Sequence, residues 1–153
     1  MAQIKKIFII CGEPSGDLLA GNLISAIKQV ADIKISGIGG INLAKAGCEI
    51  FYNIKELSVM GFFDVLKKLP KFFGLKKLIL EKIATDKPDA IILVDFSGFN
   101  LRLAKTINKR IPVIYYVSPQ VWASRKGRIN CIKKFISKTI VLFKFEEEFY
   151  KKN

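Results

Sequence analysis

A carboxylate at the end of an apolar run is the first place where this chain could do chemistry. Ile91-Ile92-Leu93-Val94 leads into Asp95, followed by Phe96-Ser97-Gly98-Phe99-Asn100. The chain has no histidine, so a general base must be a carboxylate, a lysine or another group. Asp95, beside Phe96 and Phe99, is the candidate. A partly desolvated carboxylate holds its proton more tightly and can accept one from an attacking hydroxyl within hydrogen-bond reach. The competing reading is that Asp95 caps the helix that follows. A second stretch offers different chemistry. Gly12-Glu13-Pro14-Ser15-Gly16-Asp17 is neither a G-x-G-x-x-G fingerprint nor a Walker loop. Its glycines let backbone approach a ligand, and the next helix would present free N–H groups there. Two carboxylates at that point would repel a pyrophosphate and suit sugar hydroxyls. The alternative is a tight turn with Asp17 as a helix cap.

These residues need elements to hold them. Four bulky apolar residues in a row fit a strand covered on both faces, as in a parallel sheet. The pattern along the chain predicts strands at 4–11, 33–38, 48–52, 90–94, 112–117 and 139–143. It predicts helices at 18–30, 41–46, 62–84, 101–109, 125–135 and 144–152, with irregular chain over 56–61. The long helix should break near Pro70 or Gly74. Strands alternating with helices mean an α/β fold with a parallel sheet and right-handed crossovers. Asp95 then lies at the carboxyl end of a central strand, where such sheets place their ligands. Tyr115-Tyr116-Val117-Ser118-Pro119-Gln120-Val121-Trp122 should end a strand at the same side of the sheet. Ordinary loop and core packing is the plainer reading of that stretch.

Composition sets outer limits. A chain of 153 residues, half of them hydrophobic, suits one globular domain and excludes disorder. No apolar run approaches the ~18 residues of a membrane-crossing helix. The apolar part of the N-terminus, Ile7 to Cys11, is too short for a signal peptide and reads as a strand. Cys11, Cys48 and Cys131 have no metal spacing and point to buried thiols in a reducing cytoplasm. The net charge of +13 favours an anionic partner: nucleic acid, an acidic membrane surface or a phosphorylated substrate. Lysine outweighs arginine, which an AT-rich genome also produces. No nucleic-acid motif is present, and the aromatics do not form a strand platform, so nucleic acid is the weakest of the three. Arg125, Lys126, Arg128, Lys133 and Lys134 could form a basic helix face, and a solvated charged face explains them as well.

The segment from Phe62 to Phe73 is amphipathic. Phe62, Leu66, Leu69 and Phe73 fall on one side of a helical wheel, with Val65 and Phe72 adjoining, and Asp64, Lys67, Lys68 and Lys71 on the other. Large apolar residues opposed to lysines are what interfacial helices show, and a core helix with a solvated lysine face is the alternative. Leu75, Leu78, Ile79 and Ile83 already supply a face for the sheet, which makes the Phe-rich segment surplus and favours a membrane contact.

Taken together the motifs resemble the lipid-A-disaccharide synthase family. The matching pieces are Gly12-Glu-Pro-Ser-Gly-Asp17, Gly37-Ile-Gly-Gly40, Gly47-Cys48, Glu56-Leu-Ser-Val-Met-Gly61, Asp95-Phe-Ser-Gly-Phe-Asn100 and Tyr116-Val-Ser-Pro-Gln-Val-Trp122. Any one is weak, and six in register along nearly the whole chain are strong. The resemblance implies a GT-B glycosyltransferase with two Rossmann-like domains, in which residues 1–153 form the N-terminal, acceptor-side domain. It implies transfer of a diacylglucosamine from UDP-2,3-diacylglucosamine to lipid X (2,3-diacylglucosamine 1-phosphate), with inversion and with neither metal nor other cofactor. It places the work on the inner face of the cytoplasmic membrane, by a peripheral protein. By position Asp95 matches the family's proposed general base. Substrate contacts are carried over to Gly12, Glu13, Ser15, Gly16, Asp17, Met60, Gly61, Asn100, Ser118, Gln120 and Trp122. The membrane segment falls on Phe62, Phe63, Val65, Leu66, Leu69, Phe72 and Phe73.

The sequence departs from that pattern in two local places. Ser97 stands where the family often has Pro, and Ser124 where it has a second Trp. The larger departure is length, since a donor-binding C-terminal domain for the UDP-sugar is missing from the 153 residues. The expectation is an acceptor half with a base and little activity by itself. The alternative is an inactive product that acts only as a peripheral membrane module.

Overall fold

The computed structural model describes residues 5–59, 69–119 and 127–153. Six strands form one all-parallel sheet: β1 (Lys5–Cys11), β2 (Ile33–Gly39), β3 (Glu49–Asn53), β4 (Ala90–Val94), β5 (Val113–Tyr116) and β6 (Lys138–Ile140). Seven helices are described: α1 (Pro14–Val30), α2 (Ile41–Lys45), α3 (Ile54–Val59), α4 (Leu69–Asp86), α5 (Ser97–Ile107), α6 (Gly127–Phe135) and α7 (Lys144–Lys152). The strand order is β3-β2-β1-β4-β5-β6, that of a Rossmann-like open sheet. The winding reverses between β1 and β4, which opens a crevice at their carboxyl ends.

The apolar runs explain the order. In β1, Phe8 to Cys11 are buried, and in β4 so are Ile91 to Val94. Strands covered on both faces have no side to offer water and take the centre. Ile7 to Cys11 pair with Ala90 to Val94, so Cys11 lies opposite Val94 and the two chains leave the sheet side by side. One glycine is required in the sheet. The register between β2 and β3 shifts at Gly37–Ile38, and a Cβ on Gly37 would overlap the Ile9 carbonyl of β1.

Several boundaries differ from the sequence reading. Helix α1 begins at Pro14 and not at Leu18, because proline fits the first helical turn, where no N–H is needed. Only Gly12 and Glu13 remain as a turn. Helix α5 begins at Ser97 and not at Leu101. The chain expected to be irregular forms α3, which buries Ile54 and Leu57 three residues apart. Helix α4 runs through Gly74 unbroken, with Pro70 in its first turn. Its inward face is Leu75, Ile79 and Ile83, whereas Leu78 is exposed. Strand β6 stops at Ile140, short of the expected 143.

Phe72 corrects the membrane assignment. It is only 6% exposed and packs edge-on against Phe99 of α5, ring centres 5.0 Å apart, with the Arg102 guanidinium 5.1 Å from its ring. It belongs to the core, since α4 needs a large side chain to fill the gap against α5. Phe73, its neighbour, is 53% exposed, with Lys76 Nζ 5.2 Å from the ring. Phe62, Phe63, Val65 and Leu66 lie outside the described residues, as does the side chain of Leu69.

Candidate active site

Asp95 and Glu13, two of the predicted carboxylates, stand where β4 and β1 leave the sheet side by side, close enough for the charge of Asp95 to act on Glu13. Asp95 is the first residue past β4 and is half-buried. It and Phe96 both have left-handed backbone, φ 47° and 45°. For non-glycine residues such conformers cost roughly 1–2 kcal/mol each and persist only where surroundings impose them. Phe96 is the N-cap position of α5, so Asp95 is not the cap of that helix. Val117, at the end of β5, is also left-handed, with φ 56°, which is uncommon for a β-branched residue.

The surroundings of the turn are specific. Asp95 N–H donates to Tyr116 O at 3.3 Å. Its carbonyl accepts from the Tyr115 hydroxyl at 2.5 Å and from Asn100 Nδ2 at 2.9 Å. The Phe96 ring covers the backbone of Gly12, so that a Cβ on Gly12 would run into the ring. Phe96 and Phe99 stack with ring centres 5.3 Å apart. On the other side, Arg128 of α6 donates to Ser97 Oγ at 2.6 Å. Gly16 packs near the turn, where an added Cβ would lie 3.9 Å from that of Asp95.

Electrostatics distinguish the two carboxylates. Burial pushes the Asp95 carboxyl above the ordinary aspartate range, and a hydrogen bond from the Phe96 N–H offsets part of that. Glu13 is raised too, by burial first and then by the negative charge of Asp95. Two acids facing one crevice therefore compete for ionisation, and Glu13 carries the repulsion. The stability consequence has a definite sign. The folded state holds the Asp95 proton more tightly than the unfolded chain, so ionisation costs stability as pH rises from the ordinary aspartate value, about 3.9, through the raised one. Asp95→Asn removes that cost and keeps a residue that tolerates left-handed backbone. The variant should melt above the parent at pH 7, and the gap should close as pH falls below the ordinary aspartate range. Thermal melts across pH check this; a variant that melts lower at pH 7 contradicts it.

Asp17 has another task. It is 2% exposed, and its two oxygens accept from Gly40 N (2.6 Å), Asn42 N (2.9 Å), Asn42 Nδ2 (2.9 Å) and Leu43 N (3.2 Å). These backbone donors are the otherwise unpaired N–H groups at the start of α2. Asp17 is therefore a cap, but of a helix 25 residues along the chain, with its acceptor sites taken up. That corrects its placement among the sugar contacts.

The remaining candidates divide. Gly12 and Gly16 are buried beside the turn, Glu13 is half-buried, and Ser15 is exposed. Asn100 is wholly buried, with Nδ2 directed to the carbonyls of Val94 and Asp95, so it meets the turn and not the solvent. Ser118 is buried. Met60, Gly61, Gln120 and Trp122 lie outside the described residues. Among the described residues no group of three or more Cys, Asp or Glu could hold a metal ion. Cys11 and Cys48 are buried, with thiols raised first by burial, Cys48 to about 12, which keeps them protonated; Cys131 is half-buried. Sequence reasoning brings the Tyr115 stretch and Ser97 to this side of the sheet but gives Tyr115, Ser97 and Arg128 no role in the site.

Comparison with known proteins decides the lineage. The family model described as lipid-A-disaccharide synthetase matches residues 7–153. The chain belongs to the lipid-A-disaccharide synthetase family. Relatives named lipid-A-disaccharide synthase include those of Koribacter versatilis (38% identical over 151 residues), Myxococcus xanthus (40% over 153) and Coxiella burnetii (40% over 150). These alignments cover 97%, 99% and 97% of this chain and 40% of each relative. The chain thus spans about two fifths of the length of the curated family members it matches.

Proposed function

We propose that this chain is the acceptor-side part of a GT-B lipid-A-disaccharide synthase, with Asp95 as the general base. The observation that carries the reading is the half-buried carboxylate of Asp95, held on a left-handed turn at the reversal point of a sheet from this family. In the reaction an acceptor hydroxyl of lipid X attacks the anomeric carbon of UDP-2,3-diacylglucosamine. The hydroxyl proton passes to Asp95, the new C–O bond forms, and the bond to UDP breaks with its electron pair leaving on the phosphate. A base with a raised pKa is stronger in that step, provided it is still ionised at the working pH. Gly12, Glu13 and Gly16 border the crevice in which the sugar would sit, and the donor would be held largely by a second, C-terminal domain.

Membrane association belongs to the same reading. The substrates carry acyl chains, so the crevice has to open towards a lipid surface. No helix among the described residues is long and apolar enough to cross a membrane. Phe73 and the lysines near it offer a peripheral contact with an anionic leaflet instead, on the cytoplasmic side.

The test measures UDP release from UDP-2,3-diacylglucosamine with lipid X, using the chain alone and mixed with the remaining part of the Myxococcus xanthus relative. Lipid X binding by the chain alone is measured in parallel. Binding alone, and turnover only in the mixture, supports the proposal. A chain that neither binds lipid X nor restores turnover is not the acceptor part.

A further inference from the structure

We propose that Tyr115 and Asn100 are positioning residues that grip the backbone carbonyl of Asp95 and so keep its carboxylate half-buried at the crevice. The inference rests on the reading of Asp95 as the base, but its geometry stands apart from catalysis. Two donors from two different elements meet on one carbonyl oxygen: the Tyr115 hydroxyl of β5 at 2.5 Å and Asn100 Nδ2 of α5 at 2.9 Å. Both residues are 0% exposed. Asn100 Nδ2 also lies 3.3 Å from Val94 O, so the last carbonyl of β4 and the first beyond it are tied to the same amide.

The need for a grip comes from the backbone. Asp95 and Phe96 are consecutive left-handed residues without glycine. Such a pair relaxes to ordinary geometry unless its surroundings over-determine it. The sheet supplies one bond, from Asp95 N–H to Tyr116 O at 3.3 Å. The carbonyl is held by the two side chains. Neither is explained by filling space. Phenylalanine would fill the Tyr115 site, and leucine is the ordinary choice for a buried helix position. Asn100 leaves its Oδ1 with no hydrogen-bond partner among the described residues, which is costly for a buried polar atom. What it gains is the pair of bonds from Nδ2 to the turn.

Charged and titratable groups around Asp95 come from each neighbouring element. Glu13 stands after β1, Arg128 on α6 reaches Ser97, and Tyr115 rises from β5. Burial first, and then the charge of Asp95, raises the Tyr115 hydroxyl far above the usual tyrosine range. It therefore remains a donor at any working pH.

The experiment follows the Asp95 carboxyl by carbon-13 NMR titration in the 153-residue protein, the Tyr115→Phe variant and the Asn100→Ala variant. Tyr115→Phe removes one oxygen and leaves the ring in place. The expected result is a folded variant in which Asp95 titrates closer to the ordinary aspartate range, because the released side chain reaches water. Asn100→Ala should move it in the same direction. In a mixture that turns over, Tyr115→Phe should lower kcat roughly 10–100-fold with acceptor KM little changed, as for a misplaced reacting group. A folded Tyr115→Phe protein in which Asp95 titrates as in the parent overturns the proposal, and the same result with folded Asn100→Ala does so equally. Should the titration move while Asp95→Asn keeps full turnover, the grip stands and the assignment of Asp95 as base falls.

Discussion

Asp95→Asn should lower turnover by ~10²–10⁴-fold once a donor-binding part is supplied, with little change in acceptor KM. That is the usual scale for losing a positioned base. Asparagine keeps the size of the side chain and its tolerance of left-handed backbone, so the loss reports proton transfer and not collapse of the turn. The parent should show an acid limb in kcat/KM above the ordinary aspartate range, because burial raises the Asp95 carboxyl. Asp95→Asn should lose that limb. Steady-state UDP release across pH measures both. A variant within a few-fold of the parent would remove Asp95 from the proton transfer. The same substitution should stabilise the fold at neutral pH, so an activity loss accompanied by a higher melting temperature is the combined signature.

Replacing Leu66, Leu69 and Phe73 with serine should release the protein from anionic vesicles while leaving it folded. Phe73 is the described member of that set, and its exposure allows the change without a cavity. Each large apolar side chain contributes up to ~1.5–3 kcal/mol if fully buried, and less at an interface. Each nearby lysine adds about 1 kcal/mol against an anionic leaflet. Salt screens the lysine part and leaves the apolar part. Parent binding should weaken, without vanishing, as salt is raised, and the triple variant should stay unbound even at low salt. Phe72→Ser is the contrasting control. Its ring packs on Phe99, so the change should cost about 3–5 kcal/mol of stability, by analogy with other aromatic truncations in cores. Vesicle co-sedimentation and melting curves on the two variants separate the roles. A folded triple variant that still sediments with vesicles would exclude this segment as the anchor.

Some of this is legible in the sequence and some is not, for physical reasons. The central place of β4 can be read because Ile91 to Val94 are apolar without alternation, the pattern of a strand covered on both faces. The position of Asp95 follows from it. The starts of α1 and α5 escape the reading because Pro14 looks like a loop residue and because two left-handed residues at 95–96 carry no glycine to announce them. Asp17 has the chemistry of a cap, but sequence proximity points to α1, whereas its true partner α2 is brought near by the fold. Phe72 and Phe73 look alike on a helical wheel, and only the position of α5 decides which of them is covered. Tyr115 is the hardest to find. Its partner is a backbone carbonyl, which every residue possesses, so no spacing of side-chain types could reveal it.

The neighbouring positions of β1 and β4 also have a consequence for how the protein acquires its structure. Lys6 N–H bonds to Asp89 Oδ2 across 83 residues of sequence, and the crevice exists only where these two strands lie side by side. Pairing at that separation must first overcome the entropy of closing a long loop, which makes it slow relative to local helix formation. During synthesis β1 can pair with β2 early, but its other edge has no partner until β4 has left the ribosome. The two turns that carry Glu13 and Asp95 are therefore brought together by the slowest class of contact in the sheet, and this protein should acquire its helices well before it acquires its site.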